Sequence, residues 1–263
     1  MQSHSTQPSS QIQVTDLTVS VARQVLISNL NWQINAGDCW CIIGRNGAGK
    51  STLMRTLAGL LPVVHGTVAI NGRSLTSWPL MDLARLRAYL PQGRNDAFGY
   101  RAIDTVLAAR HPYHDGGYWE SEQDIDLALA ALAELDVDHL AHRDVRSLSG
   151  GERQRVALAA LIVQYAQCIL LDEPTTALDL PHQVNVMELI ARRCKSHHNA
   201  VIMVSHDLNL AFRYATHALL LMPDGAWQAG PVGETMTRDS LSKCLEHPID
   251  AVWHGEQCLF VPH

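Results

Sequence analysis

Between residues 12 and 34 apolar and polar residues alternate in short stretches with polar breaks, a period-two pattern that predicts β-strands. The run Cys39-Trp40-Cys41-Ile42-Ile43 is continuous instead, as in a strand buried on both faces. Leu53, Met54 and Leu57 then recur at helical spacing, and Gly59 and Pro62 end that helix. Val68-Ala69-Ile70 runs into Asn71-Gly72, a pair that predicts a hairpin turn. Over 122–135, Ile125, Leu129, Leu132 and Leu135 fall at three- and four-residue steps, the stripe of an amphipathic helix. Strands return at 168–171 and 201–204, separated by a long helix that ends near Cys194. Residues 217–230 predict a second hairpin around Pro223-Asp224-Gly225, and the C-terminal stretch beyond is short and mixed.

Within this strand–helix alternation the block 93–147 differs. It begins with glycines and aromatics and turns strongly helical, so it reads as a helical insertion in an α/β domain. A polar, Ser/Gln-rich tail is expected over 1–10.

Composition narrows the class. The chain has 263 residues, enough for one large domain, and its hydrophobic fraction of 47% supplies a core. A net charge of −6 lacks the basic footprint of a nucleic-acid binder, so no nucleic-acid partner is expected. No apolar run is long enough for a membrane span, and the N-terminus does not read as a secretory signal. The six cysteines form no C-x-x-C pair and read as reduced, buried thiols. The 14 histidines are scattered, without metal-ligand spacing.

Three stretches carry chemistry. Gly44-Arg45-Asn46-Gly47-Ala48-Gly49-Lys50-Ser51-Thr52 fits G-x-x-x-x-G-K-[ST], between a predicted strand and a predicted helix. Its glycines let backbone N–H groups face an oxyanion, and the following helix adds its positive end. Lys50 would neutralise the β- and γ-phosphates of a nucleotide, and Ser51 offers a hydroxyl to Mg²⁺. The strand at 168–171 leads into two acids, Asp172 and Glu173. Two such acids alone could equally cap a helix; beside a phosphate loop they fit a metal-shell carboxylate and a water-polarising base. Finally, "LSGGERQR" over 148–155 opens a helix that Ser149 can cap, with Gly150 and Gly151 exposing N–H groups and Glu152 following. One nucleotide rarely needs two phosphate-binding surfaces. The economical reading is a head-to-tail dimer in which this second surface serves the partner copy's ATP.

On these residues the chain resembles the ATPase subunits of ATP-binding cassette (ABC) transporters over nearly its whole length. The phosphate loop resembles the Walker A motif, and Asp172-Glu173 the Walker B acid with the catalytic glutamate. Residues 148–152 resemble the signature motif. Gln92 in "YLPQ" resembles the Q-loop glutamine, Asp179 in "ALD" the D-loop, and His206 in "VSHD" the switch histidine. The resemblance implies an ABC ATPase domain over 11–263. Its core and antiparallel β-subdomain would span 11–92 and 148–263, with the helical subdomain over 93–147. It implies ATP and Mg²⁺, the metal near Ser51, Gln92 and Asp172, and catalysis by Glu173, His206, Lys50 and Gln92. Ser149, Gly150, Gly151 and Glu152 would act on the other subunit's nucleotide. It further implies a multi-span permease docked at the Q-loop and helical subdomain, a periplasmic substrate-binding protein reached indirectly, and a peripheral position on the cytoplasmic face of the inner membrane.

One position departs from the family. The aromatic residue that usually stacks on adenine is replaced at Val21, and no Tyr, Phe or Trp occurs from Gln11 to Asn31. Weaker base discrimination, with some GTP hydrolysis, is the expected consequence. "ALDLPHQ", "SHDLNLAFRYATHALLL" and "TVLAARHPYHDG" resemble importers of iron chelates, haem and cobalamin, with Ala109 in place of a common glycine. A general likeness, including "YWE" and "ATHALLL", leans toward cobalamin over ferric siderophore or haem. Tyr100, His111, Tyr113 and Trp119 are candidates for the permease interface or for ordinary half-exposed loop residues. A cassette ATPase acting in assembly rather than transport is the alternative.

Overall fold

The computed structural model describes residues 10–22, 24–93, 98–114, 121–255 and 257–263. Its first two strands, β1 (Ser10–Val21) and β2 (Gln24–Asn35), pair antiparallel. The expected tail therefore ends early, because Ser10 already pairs with Asn35; residues 1–9 lie outside the described residues. The apolar alternation of β1 slips phase between Val14 and Leu17. An irregularity at Asp16, whose φ is +49°, returns Leu17 and Val19 to the buried face. Asn29 in β2 has the same φ, and Asn31 donates to the Asp16 carboxylate at 2.8 Å.

Then follow β3 (Cys39–Ile43), α1 (Lys50–Leu57), β4 (His65–Ile70), β5 (Arg73–Ser74), α2 (Leu80–Leu86) and β6 (Arg87–Leu90). The predicted turn at Asn71-Gly72 joins β4 to β5, and the antiparallel sheet runs β2-β1-β4-β5. The helical stretch holds α3 (Ala102–Leu107), α4 (Glu122–Glu134) and α5 (Gly150–Val163). The remaining elements are β7 (Cys168–Asp172), α6 (Leu180–His197), β8 (Ala200–Val204), α7 (Leu208–Tyr214), β9 (His217–Leu221), β10 (Trp227–Pro231), α8 (Val232–Thr235), α9 (Arg238–Leu245), β11 (Ile249–His254) and β12 (Gln257–Pro262).

The second sheet, ordered β10-β9-β3-β8-β7-β6, is parallel except for β10. It divides two cores. Cys39, Cys41 and Ile43 face the helices, while Trp40 and Ile42 face α1 and the antiparallel sheet. Alternate residues of a strand point to opposite faces, so every residue of β3 is buried. All six cysteines are buried and unpaired, and burial pushes the Cys41 and Cys168 thiols up to about 12. They pack as small hydrophobes.

The α4 stripe turns out rotated from the sequence reading. Ala128, Ala131, Leu132 and Leu135 are buried, whereas Ile125 and Leu129 are 38% and 36% exposed. The cause is Asp124, drawn inward by Arg110 (Nε–Oδ1 2.9 Å), His114 and its own capping partner Ser121. Alanine at 128 and 131 lets α4 lie close on α3 and α5, so the packed helical layer continues through α5, past residue 147. The short, mixed C-terminal stretch forms α8, α9 and the hairpin β11–β12. Hairpin β11–β12 docks on α7 through Asn209, whose side chain accepts from Phe260 N–H at 2.7 Å and donates to its carbonyl at 3.3 Å. Phe212 meets Phe260 edge to face at 5.2 Å.

Candidate nucleotide site

The parallel sheet places the predicted site residues at the carboxyl ends of four neighbouring strands. Gly44 follows β3, Asp172 ends β7, His206 lies just past β8 and Gln92 just past β6. That is where open α/β sheets bind ligands. The resulting cleft is about 560 Å³. Asn46, Gly47, Gly49, Lys50, Ser51 and Thr52 line one side, Val21, Gln24 and Leu26 one end, and Gln92, Glu173 and His206 the rest.

The loop is built for an anion. Gly49 caps α1 at φ +93°, a conformation that favours glycine, and a Cβ there would sit a tight 3.1 Å from Leu26 Cβ. No side chain caps α1 and no acid lies in its first turn, which leaves its N–H groups and dipole to the cleft. Lys50 is buried and donates to the Gly44 and Arg45 carbonyls at 2.7 and 2.9 Å. Burial pushes its ammonium below the ordinary value, and the nearby carboxylates of Glu173 and Asp172 oppose that shift. Arg45 turns away and pairs with Glu246 beyond α9.

Asp172 is buried, and burial raises its pKa against the opposing hydrogen bond from Ser51. Its Oδ1 has no hydrogen-bond partner. A buried carboxylate oxygen left free beside a serine hydroxyl fits Mg²⁺, which takes few protein ligands and fills its shell with water and phosphate oxygens. No cluster of three or more His, Cys, Asp or Glu suited to a metal occurs among the described residues. Glu173 has φ +56°. Its Oε1 accepts from Gln92 Nε2 at 2.8 Å and lies 2.7 Å from His206 Nε2, and its Oε2 accepts from the Thr176 hydroxyl at 3.0 Å.

The signature residues stand elsewhere: none of Ser149, Gly150, Gly151 and Glu152 lines this cleft. Ser149 and Glu152 form a reciprocal cap on α5, with Glu152 N–H to Ser149 Oγ at 3.2 Å and Ser149 N–H to Glu152 Oε2 at 2.7 Å. A Cβ on Gly151 would lie 3.0 Å from the Ala177 carbonyl, so the glycine also allows this close approach. Asp179 caps α6, accepting from His182 N–H at 3.2 Å and pairing with the His182 ring, and it too lies off the cleft. Of the four aromatic candidates, Tyr113 is structural: its hydroxyl donates to the Gln164 carbonyl at 2.7 Å and its ring lies 4.1 Å from the Arg110 guanidinium. Tyr100 and His111 are exposed, and Trp119 lies outside the described residues.

Sequence reasoning missed Thr176, Gln24 and Leu26. Thr176 had one available signal, its place three residues after the second acid. Gln24 and Leu26 had only their nearness to Val21. The lining carries no Phe, Tyr or Trp among the described residues, and its end at Val21 and Leu26 is aliphatic with one amide, Gln24.

No helix among the described residues is long and apolar enough to cross a membrane. The ABC transporter family profile matches residues 27–176. A hemin import ATP-binding protein of Nocardia farcinica is 41% identical over 89% of this chain and 80% of its own length. An achromobactin transport ATP-binding protein of Dickeya dadantii is 40% identical, over 84% and 82%. Among solved structures, a metal-chelate type ABC transporter in an inward-facing conformation is 28% identical, with a TM-score of 0.83 over 97% of this chain and 98% of that one. The loop residues Asn46, Gly47, Gly49, Lys50, Ser51 and Thr52 with Gln92, Glu173 and His206 around one cleft agree with these likenesses, and the chain belongs to the ABC transporter family as an ATP-binding, ATP-hydrolysing subunit.

Proposed function

We propose that the chain drives a membrane importer of a metal chelate, working as a head-to-tail pair of copies. One observation supports this reading: Lys50, Gln92, Glu173 and His206 line one cleft, whereas the glycine-bearing start of α5 at Ser149, Gly150 and Gly151 stands outside it. Each copy then offers a grip to its own ATP and a wall to its partner's. The backbone N–H groups of 44–52 and Lys50 hold the triphosphate. Ser51 and Asp172 would hold Mg²⁺, with Gln92 nearby, and the bound metal would supply positive charge to the triphosphate. Glu173 orients and polarises the attacking water, and His206 turns from Glu173 to the γ-phosphate. Ser149, Gly150 and Gly151 of one copy close over the other's nucleotide, and Asp179 lies at the contact between copies. Closure excludes water and strengthens each polar contact.

The domain division follows the same logic. A nucleotide-binding core with its β-subdomain, over 11–92 and 148–263, carries the grip, and the helical subdomain over 93–147 transmits closure. Phe98 and Tyr100, exposed just past Gln92 with ring centroids 6.2 Å apart, offer contact area to a permease on the cytoplasmic face of the membrane. A periplasmic binding protein would deliver cargo to that permease without touching this chain. The named relatives favour hemin or a ferric siderophore as cargo; cobalamin, toward which the sequence leans, remains the competitor.

The test is uptake of labelled hemin, ferric siderophores and cobalamin in a strain lacking the gene. Loss of one, restored by the parent chain and not by Glu173→Gln, is expected, and the cargo lost names the chelate. Unchanged uptake of all three would sink the import reading in favour of the assembly factor.

A further inference from the structure

Among the described residues the Glu173 carboxylate has three side-chain hydrogen-bond partners, and they differ in what else they must do. Gln92 and His206 both meet Oε1, from the ends of other strands. In the function proposed above each has a second task, Gln92 at the metal and permease and His206 at the γ-phosphate. Thr176 has none. It sits on Glu173's own loop, where its N–H donates to the Glu173 carbonyl at 3.3 Å and its hydroxyl to Oε2 at 3.0 Å. That loop is anchored from below, since Gln154 of α5 donates to the Pro174 carbonyl at 2.9 Å. Glu173 itself is held at φ +56°, with its N–H on the Val204 carbonyl at 3.2 Å. Among the described residues, Thr176 is thus the donor that travels with the carboxylate.

We propose that Thr176 is a positioning residue for hydrolysis, its hydroxyl fixing the plane of the Glu173 carboxylate while Oε1 receives the attacking water. The final torsion of a glutamate side chain is broad and nearly two-fold, so no rotamer well sets that plane. Once Gln92 and His206 turn to ATP, Oε2 keeps Thr176 and Oε1 is freed. Water then donates a proton to Oε1 as its oxygen bonds to the γ-phosphorus. The bond from that phosphorus to the bridging oxygen breaks, and ADP leaves with the electron pair. A carboxylate free to rotate would lose this near-attack geometry without loosening the grip on the triphosphate. The proposal rests on the reading of Glu173 as the hydrolytic carboxylate.

The test is MgATP turnover and ATP binding by the full chain carrying Thr176→Val, Thr176→Ala or Thr176→Ser, with Glu173→Gln alongside. Thr176 is exposed, so the fold tolerates these changes. Thr176→Val and Thr176→Ala are expected to lower kcat about tenfold or more, with KM and ATP Kd within about twofold of the parent. Thr176→Ser, which keeps the hydroxyl, is expected to restore most of the rate. Parental kcat in the Val and Ala variants, a loss confined to KM, or a Ser variant as slow as Val would overturn the proposal. If Glu173→Gln also turned over at the parental rate, the reading of Glu173 would fall; if it were inactive while Thr176→Val ran normally, only the role of Thr176 would.

Discussion

Two helix starts in this chain are rich in glycine and read as phosphate-binding, yet they are finished differently. The start of α1 is open: Gly49 caps it without a side-chain bond, no acid sits in its first turn, and Lys50 stands beside it. The start of α5 is closed on itself, because Ser149 and Glu152 satisfy each other's N–H groups. The backbone bond to Ser149 holds the Glu152 carboxyl below its ordinary value, so the closed cap keeps a full negative charge. An open terminus with a cation can hold a triphosphate unaided. A terminus that is already capped and carries an acid adds to a phosphate held by something else. On the proposed function, the difference suits the first surface to a grip and the second to a wall.

The largest effects should separate the two. Lys50→Ala is expected to abolish binding and lower hydrolysis by at least about a hundredfold, because a charge aimed at the transferred phosphoryl group is lost. Gly150→Asp adds a side chain at an ordinary 3.5 Å from Ala177 Cβ and an acid at a helix start, so the fold tolerates it. It should leave ATP binding by dilute monomer near the parental value while hydrolysis falls comparably. Nucleotide titration and turnover on both variants check the pair. Equal loss of binding in both would erase the contrast between grip and wall.

The scaffolds differ as well. Helix α1 packs between the two sheets, whereas α5 packs in the helical layer beside a largely buried ion pair. Arg110 meets Asp124 with side chains 13% and 9% exposed, and reaches the Val163 carbonyl of α5 at 3.1 Å. The Ser121 hydroxyl, followed by Arg110 and His114, holds the Asp124 carboxyl well below the usual carboxylate range against the opposing effect of burial. A folded-state value below the unfolded one contributes stability above the unfolded value near ~3.9, lost as pH falls through the folded value. Arg110→Met is therefore expected to cost about 2 kcal/mol at pH 7, because the Asp124 carboxylate loses its guanidinium and keeps only Ser121 and His114. That deficit should shrink in acid as Asp124 takes up a proton. Denaturant unfolding across pH reads both; a pH-independent deficit would point to lost packing instead.

The smallest effect lies at the base end. Val21→Tyr is expected to tighten ATP about fivefold, since stacking on a base contributes about 1 kcal/mol or more. The parent should hydrolyse GTP at a measurable rate on its aliphatic Val21 and Leu26. Unchanged affinities in Val21→Tyr would place the base elsewhere.

What was legible in the chain was what depends on near neighbours. The phosphate loop, the acids at the end of β7 and the Ser149 cap each declare themselves within a few residues, and parallel pairing then brings Gln92, Glu173 and His206 together. What escaped depends on distant partners. Asp124 turns α4 because Arg110 and His114 await it, so Ile125 and Leu129 face solvent despite their spacing. The C-terminal hairpin is ordered by Asn209, far from it in sequence. Thr176 looks like any threonine until the positive φ of Glu173 brings the carboxylate back to its hydroxyl.

The central claim, that this chain holds half of a site and needs a second copy, is tested most directly by light scattering on Glu173→Gln with and without millimolar MgATP. The account predicts a monomer without nucleotide and a stable dimer with it, which fails to turn over. A variant that stays monomeric in ATP and hydrolyses at the parental rate would contradict it.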